Sequence, residues 1–134
     1  LRMERHCSNA QKVAEFLQAR PEVAWVHYAG LPGDKYYERA QKYMIDGRTC
    51  GVLAFGIKGG RDASIAFMDK LKVAQIATHV ADAKTCLLHP ASHTHRQLTE
   101  EQLEEAGVSP DLIRLSVGLE DAKDLIEDIE QALN

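Results

Sequence analysis

Ile113-Arg-Leu-Ser-Val-Gly-Leu-Glu-Asp121 decides how this chain is read. Apolar and polar residues alternate along it. In an extended strand, Ile113, Leu115 and Val117 face one way and Arg114 and Ser116 the other. Gly118 breaks the strand, and Glu120 and Asp121 open an acidic helix start. An arginine in mid-strand is costly to hold without an anionic partner. Its planar fork matches a carboxylate. Two readings stand side by side: a surface arginine on a half-solvated sheet, or an anion clamp.

Working outward, the last helix carries Ala122, Leu125, Ile126, Ile129, Ala132 and Leu133 as an apolar stripe. The acidic residues of that helix are expected on its solvated face. Upstream, Thr99-Glu-Glu-Gln102 is a capping box for a short helix that stops at Gly107, and Ser109-Pro110 is expected to start one more helical turn. Short strands are expected near Ile76 and at Cys86-Leu87-Leu88. Gly51 to Lys58 is apolar nearly throughout and reads as a central strand buried on both faces. Gly59-Gly60 turns into a helix with Ala63, Ala66, Phe67 and Leu71 on one face. Val23 to Tyr28 reads as a strand, Gly30 to Gly33 as a turn and Tyr36 to Met44 as a short helix. Met3, Cys7, Ala10, Ala14 and Leu17 mark a first helix that ends near Ala19, before Pro21. No capping residue precedes that helix, so residues 1–19 are expected to be a truncated connecting helix. The whole reads as one two-layer α/β domain over 1–134: a mixed or mainly antiparallel sheet with helices on one side.

The 134 residues suffice for one core and not for two. Net charge is −4, with no basic patch, which argues against nucleic acid. No apolar run reaches membrane-spanning length. Cys7, Cys50 and Cys86 lack metal-type spacing, and a reducing, cytoplasmic setting is expected. Cys50 and Cys86 abut apolar runs and read as buried small hydrophobes. His89, His93 and His95 invite a metal reading, but no cysteine or carboxylate set completes a tetrahedral site. A loop stiffened by Pro90, with Ser92 and Thr94 bonding its backbone, is preferred and no metal is expected.

Three blocks carry a family resemblance: Gly51-Val-Leu-Ala-Phe-Gly-Ile-Lys-Gly-Gly60, Leu88-His-Pro-Ala-Ser-His-Thr-His-Arg-Gln-Leu98 and Pro110-Asp-Leu-Ile-Arg-Leu-Ser-Val-Gly-Leu-Glu120. In this order they resemble the C-terminal part of the pyridoxal-phosphate enzymes of cysteine and methionine metabolism. Within that family, the His-Pro-Ala-Ser block and the Ala106-Gly107-Val108 approach are most similar to O-acetylhomoserine sulfhydrylases. The resemblance implies the small C-terminal domain of a fold-type I enzyme. It also implies a missing larger domain that holds the cofactor lysine, and a homotetrameric parent. None of the lysines here lies in the Ser-x-Thr-Lys context of the family, so no cofactor-binding or catalytic residue is expected in this chain, which alone is expected to be inactive.

By resemblance, Arg114 holds the α-carboxylate of an amino-acid substrate. Ser116 shares its face and reads as a small residue that leaves room. His79-Val-Ala-Asp82 lies where related lyases and synthases have a Ser-Leu-Gly-Gly type loop and many sulfhydrylases Asn-Val-Gly-Asp. A side-chain role for His79 is therefore open against a plain surface histidine, while a backbone contact would survive the change. Ser92 and His95 are implied near the substrate entrance. The implied reaction is γ-replacement of acetate on O-acetyl-L-homoserine by sulfide or methanethiol. The alternatives are a cystathionine γ-synthase or γ-lyase of the same family, and, from another class, a non-catalytic interaction domain on this fold. Surface that meets the larger domain is expected to be apolar and prone to self-association.

Overall fold

The structure is a computed structural model and describes residues 1–134, apart from the side chain of Glu100. Helix α1 spans Arg2–Gln18 and ends where Pro21 would interrupt it. Its buried stripe, Cys7, Ala10, Val13, Ala14 and Leu17, recurs at helical spacing, and His6 and Asn9 are buried beside it. Strand β1 is Val23–His27. Short α2, Tyr37–Tyr43, follows, then β2, Val52–Ile57, and α3, Gly60–Lys70. Strands β3, Gln75–Ile76, and β4, Cys86–Leu88, are brief. A 3₁₀ turn at Pro90–Ser92 and helix α4, Glu100–Glu105, lead to β5, Leu112–Ser116. Helix α5, Ala122–Leu133, closes the chain.

The five strands form one sheet in the order β1-β2-β5-β4-β3. All neighbours are antiparallel except β3 and β4. The architecture is thus two-layer α/β with a mixed, mainly antiparallel sheet. On one face Leu53, Leu115 and Leu87 stand in register, with Phe55 opposite Ile113. All are buried against α1, α3 and α5, through Val13, Leu17, Phe67, Met68, Leu125 and Ile129. The Phe55 and Phe67 rings meet edge to face at 5.8 Å.

The opposite face carries the row His27, Ala54, Arg114 and Leu88, flanked by Val52, Ser116 and Cys86. None of α1, α3 or α5 covers this side. The β3–β4 connection crosses it for a topological reason. Parallel neighbours require the chain to return to the starting end of the sheet, usually through a dozen or more residues. Here only residues 77–85 separate Ile76 from Cys86. The helical face is already packed, so the crossover lies over the open face, directly across Arg114 and Ser116.

Several expectations need correction. Strand β2 is interior, paired with β1 and β5, but it is not buried on both faces: Val52 and Ala54 on its open face are only half-buried. Cys50 is exposed, because it lies in the loop before β2 and not in the strand. Helix α3 buries Ser64, Phe67 and Met68 and exposes Ala66. Ser64 turns inward because its hydroxyl donates to the Asp111 carbonyl at 3.0 Å. Met3 stands exposed at the start of α1. Ser109-Pro110 makes a single turn, closed by Leu112 N–H on the Ser109 carbonyl at 3.1 Å, because β5 begins at once. Asp128 on α5 is buried instead of solvated. The capping box of α4 is present, Thr99 Oγ1 accepting from Gln102 N–H and Gln102 Oε1 from Thr99 N–H.

Candidate functional site

Arg114 sits in the middle strand with its side chain on the open face, half-buried. Its Nη2 donates to the Thr78 carbonyl at 2.9 Å and to the His79 carbonyl at 3.4 Å. Its Nε is buried and has no hydrogen-bond partner among the described residues. No carboxylate of the described residues lies within 4 Å of the guanidinium. A guanidinium held at one corner by neutral carbonyls, with an unpartnered Nε and no counter-ion, lacks an anionic acceptor.

The crossover loop is fixed at several points. Ser116, 1% exposed, accepts Ala81 N–H on its Oγ at 2.9 Å. Arg2 Nη2 donates to the Ala81 carbonyl at 2.6 Å. Ala81 has φ +59°, in the left-handed region that disfavours a side chain. Asp82 accepts Lys84 N–H at 3.1 Å and lies 3.4 Å from His79 Nδ1. The Lys84 N–H is the main cause that holds the Asp82 carboxyl below its ordinary pKa; the His79 ring adds to it. Thr85 N–H and Oγ1 both donate to the Glu120 carboxylate, at 2.6 and 2.8 Å. Gly118 N–H donates to Thr85 Oγ1 and Leu119 N–H to the Ala83 carbonyl. A side chain at position 118 would collide with that carbonyl.

The structure therefore brings Arg114 and His79 together, through the His79 backbone. The His79 side chain is 66% exposed and points to Asp82. Arg2, His79, Val80, Ala81 and Asp82 line a shallow cleft beside the loop. Ser92 and His95 belong to another constellation. Ser92 Oγ lies 2.9 Å from His89 Nδ1 and accepts from Arg61 Nη2 at 3.0 Å. His89 is fully buried, and its Nε2 lies 2.8 Å from the Pro110 carbonyl. A carbonyl can only accept, so Nε2 carries the proton and Nδ1 accepts from Ser92. Burial pushes the His89 pKa below its ordinary value. With both nitrogens engaged, His89 bridges strand and loop and is not free to ligate. His95 Nδ1 lies 2.8 Å from Thr94 Oγ1, and His95 N–H bonds the Pro90 carbonyl.

Two contributors escaped the sequence reading, the Ser116 hydroxyl and Arg2. Ser116 sits two residues from Arg114 in a strand, which puts it on the same face, so a signal was present. Nothing local ties Arg2 to Ala81.

All eight lysines are exposed: Lys12, Lys35, Lys42, Lys58, Lys70, Lys72, Lys84 and Lys123. A Schiff-base lysine needs an enclosed pocket with a phosphate cup around it. None of the eight exposed lysines has such a pocket among the described residues, so they do not fit pyridoxal phosphate. No helix of the described residues is long and apolar enough to cross a membrane.

The fold is a mainly antiparallel α/β domain with an arginine anchored on the sheet face opposite α1, α3 and α5. The sequence profile of the Cys/Met metabolism PLP-dependent enzymes matches residues 1–134, and the chain belongs to that family. It is 48% identical over 133 residues to an O-acetyl-L-homoserine sulfhydrylase of Leptospira meyeri, covering 99% of this chain and 30% of that protein. It is 46% identical over 135 residues to an L-methionine gamma-lyase of Treponema denticola, covering 100% of this chain and 33% of the relative. Among solved structures, a Campylobacter jejuni chain described as an O-acetylhomoserine (thiol)-lyase superposes with a TM-score of 0.93 at 39% identity. The match covers 98% of this chain and 31% of that one, which carries a pyridoxyl-lysine phosphate. The chain spans about a third of the length of these relatives.

Proposed function

We propose that this chain is the C-terminal, substrate-side domain of a pyridoxal-phosphate-dependent O-acetyl-L-homoserine sulfhydrylase. In the net reaction sulfide or methanethiol forms a C–S bond at Cγ, the C–O bond breaks and acetate leaves. The observation that carries this reading is Arg114: a strand arginine on the face opposite α1, α3 and α5, anchored by two carbonyls of the crossover loop, without a counter-ion and with Nε unpartnered among the described residues. Its role is to hold the substrate α-carboxylate and so fix the amino acid against the reacting centre. Positioning of this kind lowers a barrier by several kcal/mol. The cofactor, its lysine and the phosphate site then belong to the larger domain, with residues 1–19 as the connecting helix and a homotetramer as the working assembly. Three free thiols favour a reducing, cytoplasmic setting.

The near-equal identity to a methionine γ-lyase favours a second reading, elimination on the same clamp. The test is made on the full-length enzyme. Sulfide-dependent homocysteine formation from O-acetylhomoserine, against 2-oxo acid release from methionine, separates the two. Arg114→Ala removes a charge-assisted pair worth about 3 kcal/mol, so kcat/KM should fall about 150-fold, mostly through KM. An unchanged KM would remove Arg114 from the site. Ser92→Ala and His95→Ala, on the separate constellation, are expected to change KM far less.

A further inference from the structure

Ser116 is a buried polar group beside the clamp that the clamp does not itself use. Its hydroxyl receives Ala81 N–H at 2.9 Å, and the serine is 1% exposed. The carbonyl of the same alanine is taken by Arg2 at 2.6 Å. Ala81 is thus gripped on both peptide groups, which is how an L-residue is kept at φ +59°. Two and three residues upstream, the carbonyls of His79 and Thr78 are the acceptors that orient Arg114 Nη2. Arg114 and Ser116 stand on one face of β5, and the crossover loop is the element that joins them.

We propose that Ser116 is a positioning residue for the substrate carboxylate: it pins the loop at Ala81, so that the Thr78 and His79 carbonyls hold one corner of the Arg114 fork and leave the rest to the ligand. The chemical logic is indirect. A guanidinium on a flexible stem loses rotamer freedom when it binds. Carbonyls set in advance by the Ser116–Ala81 bond remove part of that loss before the substrate arrives. Ser116 touches neither substrate nor cofactor in this scheme. It rests on the carboxylate clamp proposed above.

The experiment uses the full-length enzyme and three variants, Ser116→Ala, Ser116→Cys and Arg114→Ala. Ser116→Ala removes one oxygen and is expected to raise KM for the amino acid about tenfold, with kcat within twofold of wild type. Inhibition by an amino acid and by its carboxamide gives the specific readout. Loss of orientation should shrink the carboxylate-over-carboxamide preference about tenfold, which a general loss of stability would not do. Amide exchange of the peptide covering residues 79–83 should accelerate in the same variant. Ser116→Cys keeps the volume with a weaker acceptor and should fall between wild type and alanine; it carries the test if the alanine variant does not fold. If Arg114→Ala raises KM while both Ser116 variants keep wild-type KM and preference, the positioning role is wrong and the clamp stands. If Arg114→Ala leaves KM unchanged, the clamp falls and the role of Ser116 falls with it.

Discussion

Asp128→Ala is expected to be among the more damaging substitutions in this domain that lie outside the site. Asp128 lies in the apolar stripe of α5, next to Ile129, and is 5% exposed. Its Oδ1 accepts Lys72 N–H at 2.8 Å, and its Oδ2 accepts Val73 and Ala74 N–H at 2.9 and 3.0 Å. Gln131 Nε2 reaches Oδ1 at 3.3 Å and the Lys70 carbonyl at 2.7 Å. These amides follow the last turn of α3, where no helical carbonyl serves them. One carboxylate therefore supplies the backbone partners of the link into β3. A hydrogen bond to a charged group contributes about 1.5–3 kcal/mol, but three on one carboxylate do not add. Lys72 and Val73 are exposed, so their amides regain water in the variant. Ala74 is buried and its amide is left unpaired. The net loss works out at about 3 kcal/mol, equivalent to about 10 °C in Tm for a chain of this size. Urea unfolding, with the m-value checked for constancy, measures it. Glu127→Ala, which breaks only the exposed pair with Lys123, is the control and should cost under about 0.5 kcal/mol. A loss below about 1 kcal/mol for Asp128→Ala would refute the view that this carboxylate anchors the link.

Two further outcomes can be checked on the same protein. Burial lowers the folded-state pKa of His89 beneath its unfolded value of 6.5, so the unfolded chain binds the extra proton; its contribution to stability is full above pH 6.5 and declines as pH falls through that value. Thermal melts between pH 7.5 and 5.5 should show this decline, and His89→Gln should flatten it. Gly56→Ala would drive a Cβ into Asp111 Oδ2 and Trp25 Nε1, which hydrogen-bond each other at 2.8 Å; a loss of about 1–3 kcal/mol with a changed tryptophan emission is expected, and a neutral result would show that the pair separates freely.

The readable parts of this fold are those whose periodicity is undisturbed. Alternation from Ile113 to Val117 and the stripes of α1 and α5 place the core, because burial on one face fixes the register of each element. The capping box at Thr99 is legible because its chemistry is entirely local. The failures share a different cause: each depends on a partner distant in sequence. Asp128 reads as solvent-facing until the three amides after α3 are placed beside it. The apolar face expected for α3 at Ala63, Ala66, Phe67 and Leu71 leaves out Ser64, which turns inward to the Asp111 carbonyl. The apolar run at Gly51 to Lys58 suggests two buried faces, yet Val52 and Ala54 stand only half-covered on the side away from the helices. At the site, the Arg114 position follows from strand alternation alone. What surrounds it does not, because the loop that meets it arrives from the β3–β4 crossover.

That crossover ties the fold to the site more closely than either the strand or the loop would alone. Residues 77–85, fully extended, reach about 30 Å. The return from β3 to β4 is shorter than this, and the slack arches over β5. The arch has few apolar contacts of its own, so backbone bonds to Arg114, Ser116, Arg2 and Glu120 must fix it. Arg114 is consequently both an anchor for the arch and the proposed receiver of the carboxylate. Arg114→Ala removes both at once, so the fall of about 150-fold worked from the carboxylate contact alone is a lower bound. Ser116→Ala loosens the arch and leaves the charge in place. The difference between the two variants, read as a ratio of KM values, is the part of binding that the charge supplies by itself.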